Sequence, residues 1–457
     1  IIFIIVVVVL LSIYIGFKFL GEDTKIVGQK DVISPDTTNE IVEIDTLKSE
    51  QEKSAETTGN FNDQGIRSEN NIKNQIMYSH KELFLISDKD WHNVLPFIPL
   101  AIWTDSNNII NKYPILIYHE ESSGFDAEST ISFIRQYDPS RLTIIGQTPN
   151  ELDNLLIDSS GLGAGLNNNQ IHRIIINDYL SYWKSFDDVV YVENNYELAL
   201  LASTYASLIN APLIIQGTNL DSQNPFSDKK IICVGSVSPS GGICGEQYNL
   251  EQLQKKYFDN TDTNKIILIN PNDLNLDLTS GGLSPINKLY GSTSLSSPFL
   301  ATAKSELIIS IRSSNTERID DELESVIKNI GISPKYLTII AAPNAIPQSK
   351  KIGEGTFGDK RIEIDNSVYG NFDSDKFPEL SVGRIYGLTI SDVSSYIARS
   401  IFLEPEFGDS VTIIGAPDTA NTLAGIVGAY DNVFKKSGYD TITYDFLKED
   451  KEIKADD

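Results

Sequence analysis

The stretch NNYELALLASTYASLINAPLIIQG (194–217), followed at once by KKIICVG (229–235), decides the fold of this chain. Its Leu and Ala residues extend over helix length, and PLIIQG then gives a short apolar run that ends in glycine. IICVG repeats that ending, and VVYV (189–192) precedes the helix. Continuous Val/Ile/Leu runs alternating with helix-length segments are the pattern of parallel strands covered on both faces. The same rhythm runs outward in both directions. Upstream lie LFLIS (83–87), PILIYH (114–119) and LTIIG (142–146). Downstream come KIILIN (265–270), ELIISI (306–311), YLTIIAAP (336–343), VTIIGAP (411–417) and TITYDF (441–446). Amphipathic helical stretches such as ELALLASTYASLI (197–209), NLEQLQKKYF (249–258) and RIDDELESVIKNI (318–330) fall between them. The class is therefore α/β with parallel sheets.

The rhythm also repeats. Pro114 of PILIYH and Pro212 of APLIIQG are 98 positions apart, and Leu213 and Leu307 are 94 apart. DPSRLTIIG (138–146) and SPKYLTIIA (333–341) echo each other. Three degenerate β-α-β-α-β units are expected, near 83–157, 187–258 and 264–343. The Gly/Asn-rich GLGAGLNNNQ (161–170) is expected to mark a boundary between units.

The front of the chain has a different character. IIFIIVVVVLLSIYIGF (1–17) carries no charge, and a bilayer core of ~30 Å takes roughly 20 helical residues. Residues 1–20 read as a transmembrane anchor in a lipid bilayer, with Lys18 placed to snorkel. The alternative is a signal-peptide core, although no Ala-x-Ala-like cleavage site follows Leu20. A pilin-like assembly helix would need a Glu near its start, which is absent. Residues 21–76 then hold twelve acidic and six basic side chains and one aromatic, Phe61. Such a segment buries too little apolar surface to offset its conformational entropy, so it reads as a disordered polar stalk.

Composition narrows the function classes. The 457 residues leave room for two or three domains. The net charge of -26 argues against nucleic acid, whose phosphates need clustered Lys and Arg. Cys233 and Cys244 lie eleven apart across a Gly/Ser/Pro loop. A disulfide in an extracytoplasmic domain and two buried free thiols are both open readings. Neither cysteine has a histidine within ten residues. GEGTFG (353–358) satisfies a G-x-G-x-x-G pattern, but QSKKI before it is not read as a strand, nor DKRIEI after it as a helix, so it is read as a loop. His119 ends a strand and reads as structural, as do His80, His92 beside Trp91, and His172. In SVYGNFDSDKFPELSVGRI (367–385), Asn371, Asp373 and Asp375 alternate as the oxygen ligands of a structural calcium do, or as a polar turn before a strand does. Arg384 reads as an anchor for the strand end.

Two resemblances rest on these residues. The run from 194 to 235, with Ala199, Ala202, Ala206, Pro212, Leu213, Val234 and Gly235 in their places, resembles the second cell-wall-binding repeat family of surface proteins. A looser match runs through Pro99, Leu100, Ala101, Pro114 and Gly146, so residues 77–260 are expected to form two such repeats and 261–345 a third α/β unit. The resemblance implies an envelope polymer as partner. The phrase Pro378-Glu379-Leu380-Ser381-Val382-Gly383-Arg384, with Thr389 opening a helix, resembles the gingipain-type, caspase-like cysteine peptidases, placing part of such a module at 346–457. Glu379 departs from that family's Asp, and neither a catalytic His nor a catalytic Cys is present there. Peptide is thus expected as a substrate only of a longer protein, for which Ile1 and the charged end KEDKEIKADD (448–457) read as cut ends. The combined expectation is a membrane-anchored cell-surface protein, inactive as a peptidase in this segment. The competing class is a non-catalytic adhesion or scaffold protein.

Overall fold

The computed structural model describes residues 75–76, 81–104, 110–119, 127–275, 292–354, 360–372, 378–403, 410–415 and 430–445. The expected anchor at 1–20 lies outside these residues, as does nearly all of the expected stalk. Among the described residues no helix is long and apolar enough to cross a membrane. The last two residues of the expected stalk, Gln75–Ile76, are a short strand paired antiparallel with Trp183–Ser185.

Every apolar run read above as a strand falls in a parallel strand pair, and twelve strands build three sheets of one design. The first sheet holds β1 (Glu82–Ser87), β2 (Ile115–Tyr118), β3 (Arg141–Ile145) and β4 (Ile171–Ile174). The second holds β5 (Asp188–Val192), β6 (Leu213–Ile215), β7 (Lys230–Val234) and β8 (Cys244–Tyr248). The third holds β9 (Lys265–Ile269), β10 (Leu307–Ser310), β11 (Tyr336–Ile340) and β12 (Ser381–Ile385). In each, the spatial order is second strand, first, third, fourth, and all pairs are parallel.

Each unit thus needs a fourth strand that the apolar pattern does not reveal. GLGAGLNNNQ lies inside the first unit, leading into β4, and is not a boundary. The third sheet is completed by SVGRI, beyond residue 345. Ser410–Gly415 and Asp440–Asp445 form a separate parallel pair.

Equivalent positions in the three sheets explain the recurring glycine. Gly146 and Gly235 directly follow the third strand of their sheets, with φ of 105° and 88°. A Cβ on Gly146 would stand 2.7 Å from Ser87 Cβ, and one on Gly235 2.5 Å from Glu193 Oε2. Only glycine tolerates both the left-handed backbone and that approach. The third sheet has Ala341 at this place.

The helices that follow the first strands gather in the middle. They are α1 (Ile98–Ala101), α4 (Tyr196–Leu208) and α6 (Ser297–Lys304), and α4 packs on both others. The other helices of eight or more residues include α2 (Glu128–Tyr137), α3 (Asn150–Ile157), α5 (Leu250–Thr261), α7 (Thr316–Ile330) and α8 (Ile390–Phe402). Sequence suggests an amphipathic α4, yet all of its residues but Leu198 are buried. A helix enclosed on every side has no solvent face to keep polar. Its small residues Ala199, Ala202, Ser203 and Ala206 let the neighbours approach. One continuous buried cluster runs from Leu83 to Ala398 through all three units.

Candidate functional site

The segment after each fourth strand leaves its own unit and lies along the second, edge strand of the next. After β4, Tyr179 of the 3-10 helix Ile176–Tyr182 accepts a hydrogen bond at Oη from Leu213 N of β6, 3.0 Å away. After β8, Gln254 of α5 donates Nε2 to Ile308 O of β10 at 3.1 Å. After β12, Ser394 of α8 accepts from Ile117 N of β2 at 3.0 Å and donates to Ile117 O at 3.2 Å. The last contact returns the third unit to the first, so three units close into a ring. Exposed edge strands invite further pairing, and here each is capped by a polar side chain from its neighbour.

Side chains from all three units also meet around the central helices. Trp91 packs edge-on against Tyr196 at 5.4 Å, and Tyr196 Oη lies 2.8 Å from Ser294 Oγ. Asp273, buried, takes Ser294 N at 2.8 Å, Ser294 Oγ at 2.7 Å, and the hydroxyls of Ser292 and Thr293. Burial pushes its carboxyl above the usual range against those four donors. Glu197 on α4 receives Arg312 through Nε at 2.9 Å and Nη2 at 2.6 Å. These contacts are structural joints.

Two seams open into cavities. Between the second and third units, Asn249, Leu250, Glu251, Gln254, Val326 and Asn329 line about 330 Å³. Between the third and first, Ser129, Tyr386, Asp392, Ser395, Tyr396 and Arg399 line about 420 Å³. In the latter, Asp392 accepts Ser129 Oγ at 2.6 Å and Thr389 N at 3.0 Å, while Arg399 reaches Ser132 Oγ at 2.6 Å and Gln136 Oε1 at 2.9 Å. Sequence reading missed every one of these residues except Thr389. The available signal was a row of serines on an otherwise apolar helix face, ISDVSSYIARSIF.

The residues singled out from sequence are spread over the molecule. Cys233 in β7 and Cys244 in β8 are joined by a disulfide. The loop between these parallel strands has no crossover helix, whereas α3 fills that place in the first unit, so the disulfide supplies the tie. The chain's two cysteines are thereby both bonded and neither is a thiolate nucleophile.

Of the expected cation ligands, Asn371 is half-buried after the 3-10 helix Ser367–Gly370. Asp373 and Asp375 lie outside the described residues. Glu379 accepts Phe372 N at 2.8 Å across that loop. Among the described residues no three His, Cys, Asp or Glu side chains come together to hold a metal.

Arg384 holds the strand end, donating to Ala341 O at 3.0 Å, Ile346 O at 2.9 Å and Asn366 Oδ1 at 3.0 Å. Gln247 occupies the equivalent place in the second sheet and bonds the equivalent carbonyl, Gly235 O, at 2.9 Å. That shared role accounts for Arg384 without a substrate.

GEGTFG begins at the end of a strand, Ser349–Glu354, where none was expected, and Lys360–Asp365 returns antiparallel to it. A hairpin is no phosphate cradle, which needs a helix N-terminus after the glycines. His119 Nδ1 contacts Asp88 Oδ2 at 2.7 Å at the carboxyl ends of β1 and β2. His92, expected in the core beside Trp91, is only half-buried: it stacks on Trp91, bonds Asp90 and reaches Asn194 Oδ1 at 2.7 Å. His172 is exposed in β4, and His80 lies outside the described residues. Compared with known proteins, the chain matches no family model, no curated protein and no solved structure.

Proposed function

We propose that the three-unit ring is a non-catalytic binding module of a cell-surface protein, gripping an envelope polymer outside the cytoplasm. The observation that carries this reading is the threefold recurrence of one seam, with cavities lined from both units at the second–third and third–first seams. A repeated seam offers a repeating polymer several contacts on one rigid body, and linked weak contacts raise overall avidity. The disulfide fits an oxidising compartment, and the apolar start of the chain supports a membrane tether. The acidic surface favours solubility over nucleic-acid binding.

A tethered cysteine peptidase is the second reading, favoured by the parallel pair Ser410–Gly415 and Asp440–Asp445, which supports a further α/β region. Against it, SVGRI serves as a sheet strand whose counterparts are IHRI and CGEQY, so its Gly-Arg needs no catalytic explanation.

The test is co-sedimentation of the protein with cell-wall sacculi stripped of protein, beside a peptide-library cleavage assay. Retention on sacculi without cleavage is expected. Protein that stays in the supernatant at all salt concentrations overturns the binding reading, and cleavage overturns the non-catalytic one.

A further inference from the structure

We propose that the cavity between the third and first units binds an uncharged sugar unit of a glycan. This rests on the surface-binding reading above and specifies its ligand. The volume of about 420 Å³ lies within the roughly 300–1,000 Å³ of small-molecule sites.

Three features of the lining select the chemistry. First, Ser395 is 1% exposed, and its Oγ has no hydrogen-bond partner among the described residues. A buried hydroxyl without a partner costs stability; this one belongs to a residue of the cavity wall, and a sugar hydroxyl would reach it through a small shift of that wall. Second, Tyr386 and Tyr396 are 54% and 58% exposed. Their rings offer flat, amphipathic surfaces to the C–H face of a pyranose, with a phenol at the rim. Third, Asp392 and Arg399 are engaged with Ser129, Thr389, Ser132 and Gln136.

One acid and one base, each already engaged, leave no surplus positive charge for a phosphate or a uronate. The net charge of -26 adds repulsion of any polyanion. The cavity between the second and third units has polar side chains but no aromatic wall, so the sugar site belongs to the ring-closing seam.

Calorimetric titration of the protein with neutral gluco-, manno- and galacto-oligosaccharides tests the assignment, with polygalacturonate and polyglycerol phosphate as anionic arms. At least one neutral series is expected to bind and the polyanions not to. Tyr386→Ala and Tyr396→Ala should each weaken binding by about tenfold. Ser395→Ala should weaken it several-fold while leaving the melting temperature unchanged or higher, which separates binding from folding. Neutral sugars that fail to bind, or bind equally well to all three variants, overturn the sugar site even if retention on sacculi persists. Loss of both sugar binding and retention overturns the surface reading as well. Preference for the polyanions overturns the charge argument.

Discussion

Ser394→Ala tests whether the ring is closed. Ser394 lies 277 residues from Ile117, whose backbone N–H and C=O it serves on the edge of the first sheet. Truncation leaves a buried N–H unsatisfied, which costs about 1–3 kcal/mol. If the ring from 82 to 402 unfolds as one unit of roughly 320 residues, the unfolding entropy is about 2.1 cal/mol/K per residue. A loss of about 2 kcal/mol then lowers Tm by about 3 °C, in a single transition. Were the units independent, the same loss in a unit of roughly 110 residues would shift one of several transitions by about 9 °C. Differential scanning calorimetry distinguishes these outcomes. Ser400→Ala is the control, because its hydroxyl bonds only Ile397 O within the same helix and the residue is exposed. A Ser394→Ala protein that melts like the control refutes the seam's energetic role, and separate transitions refute the cooperative ring.

Cys233→Ser with Cys244→Ser should cost about 3 kcal/mol by the chain-entropy account for so short a closed loop, measured by urea unfolding with and without reductant. Gly235→Ala should destabilise by about 1–3 kcal/mol through its left-handed φ and the clash with Glu193 and Leu198, read from the same unfolding curves. Glu306, 8% exposed, has its carboxyl pushed up to about 7 by burial, with Lys265 and Lys304 pulling it down. Because the folded protein holds that proton more tightly than the unfolded chain, this contribution is full below pH 4.5 and lost as pH rises to 7. It amounts to about 3 kcal/mol. Unfolding midpoints should therefore show a decline over that window that Glu306→Gln removes, and an unchanged slope in the variant would count against it.

What the sequence discloses follows from where each strand sits. The first three strands of each sheet are buried over most of their length and therefore read as largely apolar runs. IHRI, CGEQY and SVGRI escape because an outer strand is half-exposed and mixes polar with apolar residues. The α4 helix was visible, but its full burial was not, since only the neighbouring units create it. The seam residues Tyr179, Gln254 and Ser394 share no residue type and no spacing motif. Each is defined by reaching an edge-strand backbone group from another unit, a tertiary relation that local pattern does not encode. Of the expected site residues, the cysteines could be paired only by the structure, whereas Arg384 was legible as a strand-end anchor and its bonds to Ala341 O and Ile346 O bear that out.

The ring also separates what the repeats share from what each adds. Head-to-tail contacts that rotate back on themselves close into rings instead of extending, and three units suffice here. Closure hides the second-strand edges, while the outer edges present His172, Arg173, Glu246, Gln247 and Arg384, polar side chains that discourage strand pairing. The glycine after the third strand and the cap on the next unit serve this common frame. What differs is the chemistry in the seams: a 3-10 helix closes the first, amides and a carboxylate line the second, and serines with two exposed tyrosines line the third. Because the frame fixes the backbone in all three, a unit can change its seam side chains without losing its place. Recognition is therefore expected at the seams, and most at the third, where Tyr386 and Tyr396 stay exposed beside the Ser394–Ile117 joint between the third unit and the first.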